Sequence, residues 1–139
     1  MEIAETYLGV CEMKGDEDNP TILGFYAKAG HPEVKHDEVA WCAAFVGACL
    51  NEAGLKGTGT LWAKDYLRWK GGETVSEPEK GDIVIFSRGT DSGHVAFFDS
   101  WDSHGNLRCL GGNQHDAVSF ALFPKERVLG YRRINYDAA

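Results

Sequence analysis

The spacing of apolar residues changes once along the chain, at Gly71-Gly72, and that change limits the fold more than any other feature. Before it, apolar residues recur every three or four positions; after it, they come in short runs and alternations. The first spacing lines one side of a helix, the second one face of a strand. Helices first and strands afterwards make an α+β protein, with N-terminal helices packed on a C-terminal antiparallel sheet.

The helical half divides at its caps. Residues 2–8 predict a short helix closed by Gly9. Asn19-Pro20 offers an N-cap followed by proline at the first helical position, and launches a helix through Ile22, Leu23, Phe25 and Tyr26 to Ala29. From Val39 or Trp41 to Ala53, the residues Trp41, Cys42, Phe45, Val46, Cys49 and Leu50 form one stripe, and Gly54 supplies the stop. The small residues Ala43, Ala44, Gly47 and Ala48 let a sheet approach this helix closely. Residues 61–70 predict one more helix, ended by Gly71-Gly72. In the second half, 83–86, 94–99, 107–111, 118–122 and 128–134 read as strands, with 102–106 a hairpin turn and 113–116 an interruption.

At 139 residues the chain is sized for one domain. A net charge of -7 implies no surface for a polyanion, so nucleic acid is an unexpected partner. No apolar run approaches the roughly 18 residues of a membrane span, and Met1-Glu2-Ile3-Ala4-Glu5 lacks the basic start of a signal peptide. The expectation is a chain made in the cytoplasm without membrane insertion. Four irregularly spaced cysteines, with no CxxC pair and scattered histidines, point to free thiols and to no metal site.

One of those cysteines has a distinctive place. Cys42 stands where the third helix should begin, and a thiol there feels the positive end of the helix dipole, which favours thiolate. A nucleophilic thiol needs a base, and the base needs a group that fixes its orientation. His94, where a polar loop enters a strand, is the candidate base. A turn at His104-Gly105 pairs Ser103 with Asn106 and so sets Ala96 opposite Asn113 and His94 opposite His115. Asn113 then lies diagonal to His94 on the same face, and Gln114 on the other. A bulge at Gly111-Gly112 would reverse the faces, so Asn113, Gln114 and His115 all remain candidates for the orienting group. Cys49, two turns along the stripe, is expected in the core, and Cys11 and Cys109 are taken as structural.

Four segments carry a family resemblance: Trp41-Cys42-Ala43-Ala44-Phe45-Val46, Gly81-Asp82-Ile83-Val84-Ile85-Phe86, Gly93-His94-Val95-Ala96-Phe97 and Gly111-Gly112-Asn113-Gln114. In that order they resemble the papain-like NlpC/P60 and CHAP superfamily of cell-wall hydrolases. The opening, with Leu8-Gly9-Val10, Glu12, Gly15, Asn19-Pro20 and Ile22-Leu23, is similar to a phage-associated subgroup. The likeness spans about residues 5 to 134. It implies one catalytic domain, 1–139, that needs no cofactor and acts as a monomer on bacterial peptidoglycan. The implied chemistry is hydrolysis of a wall-peptide amide bond, by an endopeptidase or an N-acetylmuramoyl-L-alanine amidase, through a thioester. Cys42 would be the nucleophile, His94 the base and Asn113 the orienting group, with the Cys42 backbone N–H holding the oxyanion. Trp41, Trp62 and Gln114 would contact substrate, and the Trp41 indole is one option for a second oxyanion donor. The sequence departs from the pattern at Gly111, where many CHAP members carry a carboxylate.

A phage or prophage endolysin released onto the wall fits this resemblance, and an interbacterial toxin would use the same chemistry. Two other classes compete with it. One is a glycan hydrolase with Glu12 as its acid, which would need a second carboxylate in a distinctive setting. The other is a wall-binding module that retains the fold without the activity.

Overall fold

The computed structural model describes residues 2–10, 20–29, 41–88, 92–114 and 117–134. Cys11, Glu12, the acidic run 16–18 and His115 lie outside them. Among the described residues three helices come first: α1 (Glu2–Glu5), α2 (Pro20–Lys28) and α3 (Cys42–Glu52). A 3-10 helix, Ala63–Arg68, follows. The strands are β1 (Gly72–Val75), β2 (Ile83–Arg88), β3 (Ser92–Trp101), β4 (Leu107–Gln114), β5 (Ala117–Phe123) and β6 (Val128–Ile134). They form one antiparallel sheet in the order β1-β6-β2-β3-β4-β5, so the expected α+β arrangement is observed.

Helix α3 ends as its sequence dictates. Gly54 takes a φ of +80°, its N–H donates to the Asn51 carbonyl at 3.0 Å, and the Leu55 N–H donates to Leu50 at 2.8 Å. This is a Schellman close, in which buried Leu55 also rests against the last apolar turn. The segment expected as a helix over 61–70 is shorter and more tightly wound. Its buried residues are Ala63, Tyr66 and Trp69, a period of three. A 3-10 helix stacks positions i and i+3 in a straight row, whereas in an α-helix the three would drift over an arc of about 120°.

The strand β1 escaped the sequence pattern, because Gly-Glu-Thr-Val shows little alternation and its first glycine reads as a helix stop. A Cβ on Gly72 would stand 2.6 Å from the Arg133 carbonyl, so only glycine lets β1 lie against β6. The Gly81-Asp82 turn also has a structural role. The Asp82 carboxylate accepts the Glu79 N–H at 2.8 Å and the Arg133 guanidinium at 2.9 Å, tying the entry of β2 to β6.

The hairpin between β3 and β4 differs from the expected one. Its loop holds three residues, Ser103-His104-Gly105, closed by the Asp102 N–H donating to the Asn106 carbonyl at 2.9 Å. The Asp102 carboxylate accepts the N–H groups of His104 and Asn106, which stabilises this longer loop. A second slip follows between Phe98 and Ser100, and Phe97 comes to pair with Leu110, where the two-residue turn would have paired it with position 112.

Alternate residues of the strands go to two apolar clusters. Ile83, Ile85, Val95, Phe97, Leu110 and Val118 pack with α1, α2 and α3 on the outer face. Val84, Phe86, Ala96, Phe98, Leu107, Cys109, Phe123 and Tyr131 fill the inner face. The rings of Phe86 on β2 and Phe123 on β5 stack with centroids 4.5 Å apart. In a flat sheet, three strand spacings of about 4.8 Å would hold them roughly 14 Å apart. The sheet is therefore curled, with the second cluster in its hollow. Among the described residues no helix is long and apolar enough to cross a membrane.

Candidate active site

Cys42 is the first residue of α3, behind an N-cap, Trp41, that has no side-chain acceptor to offer the helix. The first helical hydrogen bond runs from the Phe45 N–H to the Trp41 carbonyl at 2.9 Å. The N–H groups of Cys42 and its two successors precede that bond and point out of the helix start, which also carries no acidic residue. Cys42 is 4% exposed. On the same helix, burial pushes the Cys49 thiol up to about 12, with help from the Glu52 charge, and burial pushes the Cys109 thiol up as well. Those two are core thiols, and neither they nor Cys42 form a disulfide among the described residues.

His94 is the third residue of β3 and is fully buried. Its ring lies 6.2 Å from that of Phe86 and 5.2 Å from that of Phe123, inside the hollow of the sheet. Its Nε2 is 2.9 Å from Oε1 of Gln114. The Gln114 amide nitrogen donates to the Cys109 carbonyl at 3.2 Å and the Ser119 carbonyl at 2.6 Å. Both carbonyls can only accept, which fixes which end of the amide is nitrogen and leaves the oxygen facing the ring. An amide oxygen only accepts, so His94 carries its proton on Nε2 and its lone pair on Nδ1.

Gln114 reaches the ring through an irregularity in β4. The register of β4 on β5 shifts between Gly111 and Gln114, which turns Gln114 to the inner face that simple alternation denies it. The two glycines make this possible from opposite sides. A Cβ on Gly111 would stand 2.5 Å from the Gln114 Oε1 and 2.9 Å from the Ala96 Cβ, on the inner face. A Cβ on Gly112 would stand 2.7 Å from the Trp41 ring and from the Phe45 Cβ, on the outer face.

The structure thus joins His94 to Gln114 and seats Cys42 in the outer cluster, on a helix that packs on β3 and β4. The Asn113 side chain lies outside the described set. Two expectations need correction. Trp41 is wholly buried, its ring stacked 5.9 Å from that of Phe25, so it is a core residue without a face for substrate. Gln114 is 4% exposed with its amide engaged at both ends, so it is a partner of the ring and not a substrate contact. Trp62, in contrast, is 64% exposed. Lys64, two residues on, lies against Gly93, the residue before His94, so the segment bearing Trp62 passes the start of β3. Among the described residues no group of three or more His, Cys, Asp and Glu is placed to hold a metal ion.

The chain resembles known proteins in family and in fold. The family model of the CHAP domain matches residues 34–113, more than half of the chain. A solved structure of a lipoprotein-like protein of the NLP/P60 family from Staphylococcus aureus superposes with a TM-score of 0.61 over 98% of this chain, at 17% identity. The chain spans 40% of that structure's length, and at this identity the likeness is one of fold. No curated protein matches the chain.

Proposed function

The chain belongs to the CHAP domain family of peptidoglycan hydrolases, and on that premise we propose that it cleaves an amide bond of the wall peptide through Cys42, with His94 as base and Gln114 holding the ring. The observation that carries this is the 2.9 Å contact between His94 Nε2 and Gln114 Oε1, because it sets the tautomer a thiol needs. With Nε2 protonated, Nδ1 is the nitrogen that takes the Cys42 proton. The thiolate adds to the amide carbon, and the Cys42 N–H at the start of α3 supports the oxyanion. Collapse expels the amine, which leaves with the proton from the imidazolium. Water, deprotonated by the same Nδ1, then hydrolyses the thioester and releases the carboxylic acid.

Gln114 also accounts for Gly111. Many family members carry a carboxylate at that position, and here the space a side chain would enter is filled by the Gln114 oxygen. In this reading, Gln114 replaces that acid, as a neutral acceptor. Asn113, the family's orienting residue, is its neighbour on β4. Trp62 is the substrate contact that remains exposed.

The pairing of thiol and ring is tested by nuclear magnetic resonance of the His94 ring nitrogens. Removing the thiol by Cys42→Ala should move the titration of Nδ1; an identical titration in both proteins would leave Cys42 without its base. Mass spectrometry of digested peptidoglycan names the bond, since a new amine on the first alanine marks an amidase and one within the peptide an endopeptidase. We assign the biological role of endolysin from the likeness of the opening segment to phage-associated members. Lysis of host cells on expression together with a holin, and none without it, is the outcome expected of that role.

A further inference from the structure

The loop leaving α3 and the end of the 3-10 helix enclose a cavity of about 470 Å³. That volume is in the range of small-ligand sites, roughly 300 to 1,000 Å³. Leu55 and Trp69 line it with apolar surface, and three cations, Lys56, Arg68 and Lys70, stand around it with one carboxylate, Asp65. The carboxylate is already engaged: its Oδ2 accepts the Thr60 hydroxyl at 2.7 Å, and Oδ1 lies 3.7 Å from Arg68. Lys56 and Lys70 make no ion pair or side-chain hydrogen bond among the described residues.

Two further features show that this is a built site. The Trp69 indole N–H donates to the Lys56 carbonyl at 2.9 Å, which fixes one wall against the other. The excess of positive charge is local, on a chain whose net charge is -7. The cavity lies past the C-terminal end of α3, while Cys42 starts that helix. At 1.5 Å per residue, the helix places them about 15 Å apart.

We propose that this cavity binds an anionic group, a carboxylate or a phosphate, carried on a small organic body. The charge meets Lys56, Lys70 and Arg68, and the apolar part of the ligand rests on Leu55 and Trp69. Because the lysines are exposed, the attraction is screened by salt, and binding weakens as ionic strength rises. The site does not depend on the hydrolytic reading, since nothing in it requires the thiol.

The test uses the full chain and three probes: inorganic phosphate, acetyl-alanyl-alanine with its free carboxylate, and the C-terminal amide of the same peptide. Amide resonances of Gly57, Lys70 and Gly71 should shift saturably with phosphate or with the free acid, and the probe that acts identifies the source of the anion. The peptide amide should shift none of them. The double substitution Lys56→Gln with Lys70→Gln, at two exposed positions, should weaken binding at least tenfold. No saturable shift with either anion, equal shifts with acid and amide, or unchanged affinity in the double variant would overturn the proposal.

Discussion

The two faces of the curled sheet are built on different terms. The outer face is closed by helices, and among the described residues its cluster is apolar and aromatic. The inner face is too narrow for another layer and is filled by the sheet's own side chains, among which one polar pair, His94 and Gln114, is enclosed. Apolar packing tolerates exchange of similar volumes, whereas a buried polar pair fails when either partner or its geometry changes. The outer face thus sets the position of the thiol, and the inner face sets the state of the base. Each can be broken separately.

The largest effect is expected from the outer face's one reactive atom. Cys42→Ala should lower hydrolysis of purified peptidoglycan by at least about 10⁴-fold, with the fold retained. Clearing of wall suspensions by this variant at the wild-type rate would remove the thiol mechanism. The next contrast lies along one helix. With Cys49 held near 12, against an ordinary value of 9.0, its thiolate fraction near neutral pH should be about a thousandfold below that of an unperturbed thiol. Iodoacetamide should therefore modify Cys42 long before Cys49 or Cys109. Equal rates at Cys42 and Cys49 would show that the helix start confers no reactivity.

Breaking the inner pair should cost less than removing the nucleophile. Gln114→Ala frees the ring and its tautomer, and a fall in kcat of about 100-fold is expected with little change in KM. Gly111→Ala should mimic it while both partners keep their side chains, because the new methyl group crowds the Gln114 oxygen and the Ala96 side chain. A Gly111→Ala protein with full kcat and an unchanged pH profile would show that Gln114 only fills space. Gln114→Glu sharpens the comparison: a carboxylate against Nε2 favours imidazolium, so the acid limb of the pH profile should move to higher pH.

Much of the frame was legible in the sequence. The α3 stripe, its Gly54 stop and the strand at 128–134 all follow from periodicity and turn chemistry, which act locally. The sequence does not distinguish the 3-10 helix from an ordinary one, because Ala63, Tyr66 and Trp69 also fit an α-helical window of that length. The partner of His94 was harder to read for a physical reason. It depends on three local irregularities: a loop longer by one residue, a slip at Phe98 and Ser100, and the shift between Gly111 and Gln114. Each changes the register or the face, and the last lies where a contact distant in sequence, Gly112 against Trp41, leaves no room for a side chain. Exposure is equally non-local. Trp41 and Trp62 look alike as aromatic residues at helix starts, yet one is core and the other surface.

The smallest expected effect concerns how the outer helices are pinned. Glu52 at the end of α3 accepts hydrogen bonds from Lys28 of α2 and from the Tyr7 hydroxyl. Burial alone pushes the Glu52 carboxyl up, but these bonds and the Lys28 charge outweigh it and hold the group below the usual value of 4.5. The bond to Glu52 raises Lys28 despite its own burial, so the two partners agree in sign. A lowered carboxyl stabilises the fold fully above its unfolded value and loses that contribution as pH falls through the folded one. The Lys28 shift changes nothing in that window, since it is lost only at alkaline pH. Both side chains are partly exposed, so Glu52→Gln should cost only about 0.5 kcal/mol at pH 7. Urea unfolding at pH 7 and at pH 3 checks the sign: the two proteins should differ at the first and converge at the second. A difference that persists at pH 3 would assign the effect to packing of the side chain and not to its charge.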